Sequence, residues 1–252
     1  MIPISDDNPT LRTPVMTYLL IAINALMWFV IQGAGLDPYA LAASVCNLGL
    51  VPGEITGTAP VGAAVPLGEG AACVVDREPI NVLTPITSMF LHGGWGHIAG
   101  NMLYLWVFGN NVEDSMGRFR FVVFYLLCGL AAAGAQVLVS PSSPVPMVGA
   151  SGAISGVMGA YLLLYPRVRV NVFFPPLFIF PVAALYVLLL WIATQVLAGL
   201  FGSAGGAEGA GVAFWAHIGG FVAGLVLVKV FEDRNLTAVR TRMRHQLHPE
   251  HP

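Results

Sequence analysis

The side chains able to do chemistry are few, and four of them interrupt apolar runs: His97, Asn101, Ser151 and His217. Polar groups inside such runs are costly, so each is a functional candidate. Ser151 lies in Gly149-Ala150-Ser151-Gly152, at the head of an apolar stretch that ends at Pro166. Nothing bulky flanks its hydroxyl, so a substrate carbonyl can reach it. His217 lies in Ala216-His217-Ile218-Gly219-Gly220-Phe221-Val222-Ala223-Gly224, one turn before the Gly220/Gly224 pair. Ser151, Gly152, Ser155 and Gly156 make a matching small-residue face. Two such faces let helix backbones approach closely. Imidazole and hydroxyl would then meet, which is how a base activates a serine.

The other two groups suit a developing anion. His97 and Asn101, four residues apart, share one helix face, and both donate hydrogen bonds. The head of the Ser151 helix adds free N–H groups and a positive dipole end. The N–H groups of Ser151 and Ala150, with His97 and Asn101, would form an oxyanion hole. An interhelical hydrogen-bonding pair is the competing reading of His97 and Asn101. His92 stands five residues earlier, round the helix or in the loop before it, and is not expected to act with them directly. All thirteen Asp and Glu, from Asp6 to Glu250, fall in loops, tails or helix ends. A Ser–His dyad is therefore the most that is expected, with His217 oriented by packing or by a neutral hydrogen bond.

These groups need helices to hold them, and the composition says what kind. The chain is 56% hydrophobic and 10% charged, against about 25% charged in soluble domains. That implies an integral membrane protein, all-α and polytopic, with the lipid bilayer as its surroundings. The net charge of −2 carries no message about nucleic acid. Neither a cofactor motif nor a zinc-type cysteine spacing is present. Six apolar stretches read as spanning helices, at 15–32, 95–111, 119–139, 151–166, 177–200 and 212–231. Most are near the ~20 residues a bilayer requires, and only helices satisfy their own backbone in lipid.

Charge sets the orientation. With the N-terminus inside, Arg12, Arg118, Arg120, Arg167, Arg169, Lys229, Arg234, Arg240, Arg242 and Arg244 are all inside, and only Arg77 is outside. This is the bias of the positive-inside rule, and it predicts that both termini are cytoplasmic. Three parts follow: a cytoplasmic segment 1–14, a six-helix membrane domain 15–231, and a basic cytoplasmic tail 232–252. The first segment is expected to fray, with Thr13-Pro14 starting the first helix. Its acidic character and the long apolar run argue against a signal peptide.

The outer loop 33–91 holds Cys46 and Cys73 on the oxidising side, where they pair or stay free. Cys128 reads as a packing residue. Pro141, Pro144 and Pro146 hold an extended lead-in to helix four. Ser151 to Pro166 would span about 24 Å, less than a ~30 Å hydrocarbon core. If Pro166 marks the inner surface, Ser151 lies below the outer one and needs a water-filled cavity. Residues 201–211 read as a flexible outer loop. His245, His248 and His251 read as part of a solvated tail, with metal binding as the rival.

Taken together, His92-x-x-x-x-His97-x-x-x-Asn101, Glu113-x-x-x-Gly117, Gly149-x-Ser151-Gly152 and Ala216-His217-x-x-Gly220-x-x-x-Gly224 resemble the rhomboid intramembrane serine proteases. The resemblance covers the chain from helix one to helix six. It implies a six-transmembrane-helix bundle that cleaves other membrane proteins through an acyl-enzyme. Ser151 would be the nucleophile and His217 the base, then the acid. His97, Asn101 and the backbone at Ala150 would hold the oxyanion. His92, Glu113 and Gly117 would serve the fold, alongside Gly149, Gly152, Gly220 and Gly224. Substrates would be single-span helices that unwind near their outer end.

Two positions depart from that pattern. Leu83-Thr84 stand where many members carry Trp-Arg, and Ser155 stands where many carry an aromatic that stacks on the catalytic histidine. Ser155 is expected to bond His217 instead. The layout fits a bacterial plasma membrane. Three other readings compete with this one. A catalytically inactive rhomboid-like protein that binds membrane clients would usually lack one of the dyad. A transporter needs paired ionisable groups along a path. Metal hydrolysis by His92, His97 and His217 lacks a nearby carboxylate base.

Overall fold

The computed structural model describes residues 2–68, 70–76, 81–176, 178–204 and 213–247. Arg77, most of the expected loop at 201–211, His248, His251 and the side chain of His245 lie outside the described residues.

The chain opens with a strand, β1 (Ile2–Asp6), where a frayed segment was expected. Its end is tied down, because Asn111 Nδ2 donates to Asp6 Oδ2 at 2.8 Å and the Tyr161 hydroxyl donates to the same oxygen. Helix α1 (Val15–Leu26) follows Pro14 and continues as a π-helical turn, Met27–Ile31. Gly33, Ala34 and Gly35 then reverse the chain at φ of 58°, 55° and 66°.

The expected outer loop is largely structured. Helix α2 (Pro38–Leu48) starts where Asp37 Oδ1 accepts from the N–H groups of Tyr39 and Ala40, with Pro38 at its first position. That is a standard start, since the carboxylate satisfies donors left free at a helix head. Helix α3 (Pro52–Ile55), the antiparallel strands β2 (Ala64–Gly68) and β3 (Ala71–Val74), and α4 (Thr84–Thr87) complete it. A Cys46–Cys73 disulfide joins α2 to β3.

Helix α5 (Trp95–Tyr104), a π turn at Leu105–Gly109, and α6 (Asn110–Met116) form a helical run that passes well beyond 111. Gly117, at φ 85°, ends α6 and opens α7 (Arg118–Val139). Helix α8 (Ser151–Leu164) stops two residues before Pro166. Strands β4 (Arg169–Phe174) and β5 (Phe178–Ala183) join β1 in an antiparallel sheet of order β1-β4-β5. The fifth apolar stretch therefore becomes helical only at α9 (Ala184–Ala204), seven residues later than expected. Proline explains the delay: Pro175, Pro176 and Pro181 precede α9, and proline is excluded from helix interiors. Helix α10 (Phe214–Phe231) and α11 (Arg234–Leu247), the latter in the basic tail, finish the described chain. Among the described residues, two small sheets thus accompany a mostly helical fold.

Among the described residues, three helices are long and apolar enough to cross a membrane: Arg118–Val139, Ala184–Phe201 and Phe214–Phe231. Only 22% of the Ala184–Phe201 window is buried within the protein, so most of its apolar side chains are at least partly exposed. An apolar medium suits that surface. Val15–Ile31 and Ser151–Leu164 are shorter apolar helices.

Helix α8 is the opposite case, buried from Gly152 through Leu162 on all sides. Glycines let its neighbours close on it. A Cβ on Gly220 would lie 2.0 Å from the Gly152 carbonyl oxygen, and one on Gly224 would lie 2.0 Å from that of Gly156. On the α7 side, a Cβ on Gly152 would lie 2.6 Å from that of Ala132.

Candidate active site

Ser151 opens α8 and His217 sits in the first turn of α10, on the two helices that the glycines hold in contact. His217 Nε2 lies 2.8 Å from Ser151 Oγ. The other ring nitrogen, Nδ1, lies 2.8 Å from the amide oxygen of Gln195 on α9. No carboxylate takes that place, and the orienting partner is neutral, as the distribution of acidic residues requires. One turn earlier on α9, Trp191 places its ring 5.8 Å from the imidazole.

Ser155 is not part of this contact. Its hydroxyl donates to the Ser151 carbonyl at 2.6 Å, as serine hydroxyls do on the preceding turn of a helix. Its single proton is used there, so the expected bond to His217 is not made. The aromatic neighbour of His217 comes instead from α9.

Of the donors expected at the anion site, His97, Asn101 and Ser151 line one cavity of about 650 Å³, together with Tyr104, Gly149, Trp191 and His217 among others. The Gly93 N–H donates to His97 Nδ1 at 3.2 Å. A neutral His97 therefore carries its proton on Nε2. That nitrogen lies 2.7 Å from where a Cβ on Gly149 would be, and Gly149 has φ 128°, which other residues rarely adopt. Asn101 is buried, and its Nδ2 has no protein partner. Ala150 is the cap residue of α8, whose first N–H groups have no intrahelical acceptor.

The remaining motif residues serve the scaffold around the site. The Gly149 N–H donates to the Ser88 carbonyl at 2.9 Å, and Leu50 and Met147 exchange backbone bonds at 3.0 and 2.7 Å. The disulfide-linked loop thus anchors the lead-in to α8. His92 lies in the loop before α5, fully buried, with its ring edge-on to His97 at 5.2 Å. Its backbone N–H and C=O are both bonded, at 2.8 Å each, by the buried amide of Gln32. Glu113 is not among the residues that line the cavity. Its carboxylate accepts from the N–H groups of Met16 and Thr17, at 3.0 and 2.7 Å, and from the Thr17 hydroxyl at 2.8 Å. Negative charge at a helix head is favourable, so Glu113 fixes the start of α1. Among the described residues, no three His, Cys, Asp or Glu converge as a metal-ligand set.

Sequence reasoning missed Gln32, Trp191 and Gln195. The last was within reach, because Gln195 is a polar side chain in an apolar run and meets the criterion that selected His97 and Asn101.

Comparison with known proteins agrees with the motifs. The Rhomboid domain family matches residues 80–233, well over half of the chain. Rhomboid protease GluP of Bacillus subtilis (strain 168) is 34% identical over 150 residues, covering 59% of this chain and 24% of that protein. Rhomboid-like protein 11, chloroplastic, of Arabidopsis thaliana is 37% identical over 79 residues, 31% of this chain and 28% of that one. Rhomboid protein 1, mitochondrial, of Saccharomyces cerevisiae (strain ATCC 204508 / S288c) is 33% identical over 101 residues, 38% and 28% of the two chains. The chain spans about a quarter of the length of these curated relatives. With the matched segment containing His92, His97, Asn101, Ser151 and His217, the chain belongs to the rhomboid family of integral membrane proteins.

Proposed function

We propose that this protein is an intramembrane serine endopeptidase that cleaves single-span membrane proteins through Ser151 and His217. Rhomboid proteins are typically intramembrane serine proteases. The observation that carries the reading for this chain is the 2.8 Å contact between Ser151 Oγ and His217 Nε2. It opens on a cavity where the Asn101 amide has no partner.

His217 Nε2 takes the Ser151 hydroxyl proton as Oγ attacks the substrate carbonyl carbon. The C–O bond forms, and the carbonyl π pair moves onto oxygen. That oxyanion is held by His97 Nε2–H, Asn101 Nδ2–H and N–H groups at Ala150 and Ser151. His217 then returns the proton to the departing amine nitrogen as the C–N bond breaks, leaving an acyl-serine. Water, deprotonated by the same imidazole, repeats the attack and releases the acid. No cofactor enters these steps. A neutral His217 is required at the start, and the group that faces its Nδ1 is the uncharged amide oxygen of Gln195.

Substrate must reach Ser151 as extended chain, because a helical peptide bond is shielded by its own hydrogen bonding. With Pro166 at the inner surface, helix α8, about 21 Å long by its rise per residue, has its head beneath the outer surface of a ~30 Å apolar layer. We place six helices across the membrane, with α5–α6 and the shorter α1 and α8 joining the three long ones. Both termini are then cytoplasmic and the disulfide-bearing loop is outside, in a bacterial plasma membrane. Residues 15–231 form the protease domain between the segments 1–14 and 232–252.

The test is labelling of the purified protein by a fluorescent fluorophosphonate, beside Ser151→Ala and His217→Ala. Labelling of the wild type that is lost in both folded variants is expected. An unlabelled wild type, beside a labelled control protease, would transfer the case to an inactive protein that binds membrane clients.

A further inference from the structure

Helix α9 carries a chain of hydrogen bonds that ends on the candidate base. The Thr194 hydroxyl donates to the Trp191 carbonyl at 2.6 Å. Gln195 Nε2 lies 3.2 Å from Thr194 Oγ1 and 3.5 Å from the same carbonyl. Gln195 Oε1 faces His217 Nδ1 at 2.8 Å, and His217 Nε2 faces Ser151 Oγ at 2.8 Å.

The direction of this chain follows from its first member. A backbone carbonyl only accepts, so the Thr194 proton is committed to it and the Thr194 oxygen is left as an acceptor. The Gln195 amide must then turn its NH₂ toward Thr194 and the Trp191 carbonyl. The opposite orientation would set two carbonyl oxygens against each other. Its own oxygen therefore points at His217 and accepts from Nδ1–H. That leaves Nε2 of a neutral imidazole without a proton, aimed at the Ser151 hydroxyl.

We infer that Gln195, oriented by Thr194, is the positioning residue that selects the Nδ1–H tautomer of His217 and so makes Nε2 the acceptor for Ser151. The inference rests on the proposed role of His217. The residue acts through the imidazole and does not touch substrate. An amide does what the third member of a triad does for tautomer and ring orientation, and it does so without a buried charge in an apolar layer.

The experiment is NMR of protein labelled at its histidine ring nitrogens, in detergent, with His217→Ala assigning the signal. The wild type is expected to show Nδ1 protonated and Nε2 bare. Gln195→Leu, similar in size but unable to accept, is expected to lose that preference, with kcat reduced on the order of 10²-fold and KM unchanged. Gln195→Glu keeps an acceptor oxygen in either protonation state, and restores both the tautomer and most of kcat. Thr194→Val, at a largely exposed position, lets the amide turn over and is expected to show mixed tautomers. It serves as the second variant should Gln195→Leu fold poorly. An unchanged tautomer in Gln195→Leu and Thr194→Val overturns the inference, whatever the rates. If the wild type does not react with fluorophosphonate, the nucleophile reading fails, and the tautomer measurement still decides the role of Gln195.

Discussion

Asn101 shows the tension between stability and chemistry in a single side chain. Its Nδ2 is buried without a protein partner, a state that costs about 1–3 kcal/mol. Replacing it by the apolar Asn101→Leu removes the orphaned donor. We expect thermal stability in detergent to hold or rise, while the acylation rate falls about 10²–10³-fold, the usual loss for one oxyanion donor. A parallel fall in both, followed by unfolding and by a chromogenic peptide assay, would mark Asn101 as a packing residue. Gly149 makes the complementary case. Its φ of 128° and the 2.7 Å approach to His97 Nε2 leave no room for a methyl group. Gly149→Ala is expected to displace the His97 ring and lower kcat, and its methyl would also lie 3.4 Å from Ser151 Oγ.

At the scale of elements, the contact of α8 with α10 is backbone against backbone. Gly220→Ala and Gly224→Ala each direct a methyl at a carbonyl oxygen 2.0 Å away. Carbonyls cannot swing aside like side chains, so each is expected to lower stability by at least about 1–3 kcal/mol. Because the same helices carry Ser151 and His217, activity should fall with them. Gly134→Ala on the exposed side of α7, where a Cβ meets nothing within 4 Å, is the control and should be neutral or stabilising. Thermal unfolding of the three variants in one detergent checks this ordering. Glu113 links α6 to the head of α1 through three hydrogen bonds. Glu113→Ala leaves buried donors unmatched and is expected to cost at least about 1.5–3 kcal/mol, with the Ser151–His217 geometry retained in the folded fraction.

Across the whole molecule, the loop that follows α1 acts as a clamp on the site. It is closed by Cys46–Cys73 and joined to the α8 lead-in through Leu50 and Met147. The double variant Cys46→Ser/Cys73→Ser is expected to lose about 2–4 kcal/mol. Its activity should also be lost at lower temperature than in the wild type. Equal inactivation curves would show that the loop is held by its other contacts alone. The proposed direction across the membrane has its own test. In a background lacking the native thiols, Gly57→Cys should react with an impermeant maleimide in intact cells, and Arg242→Cys only after lysis.

Much of this protein was legible residue by residue. Composition implied a membrane protein, and the rule that polar groups in apolar runs need a reason picked out His97, Asn101, Ser151 and His217. Helical periodicity and the small-residue faces then put Ser151 and His217 on facing helices. These are local properties, set by residue type and by spacings of three and four. What the sequence left open depended on partners distant along the chain. The N-terminal strand exists because β4 and Asn111 receive it, and the delayed start of α9 reflects prolines acting together with sheet pairing. Cys46 and Cys73 could be named as a pair, but only the packing of α2 on β3 joins them. The same holds at the base, where Ser155 turns to its own helix. The partner of His217 is Gln195, twenty-two residues away. Hydrogen bonds of that kind are decided by which helix faces which, and only tertiary structure decides that.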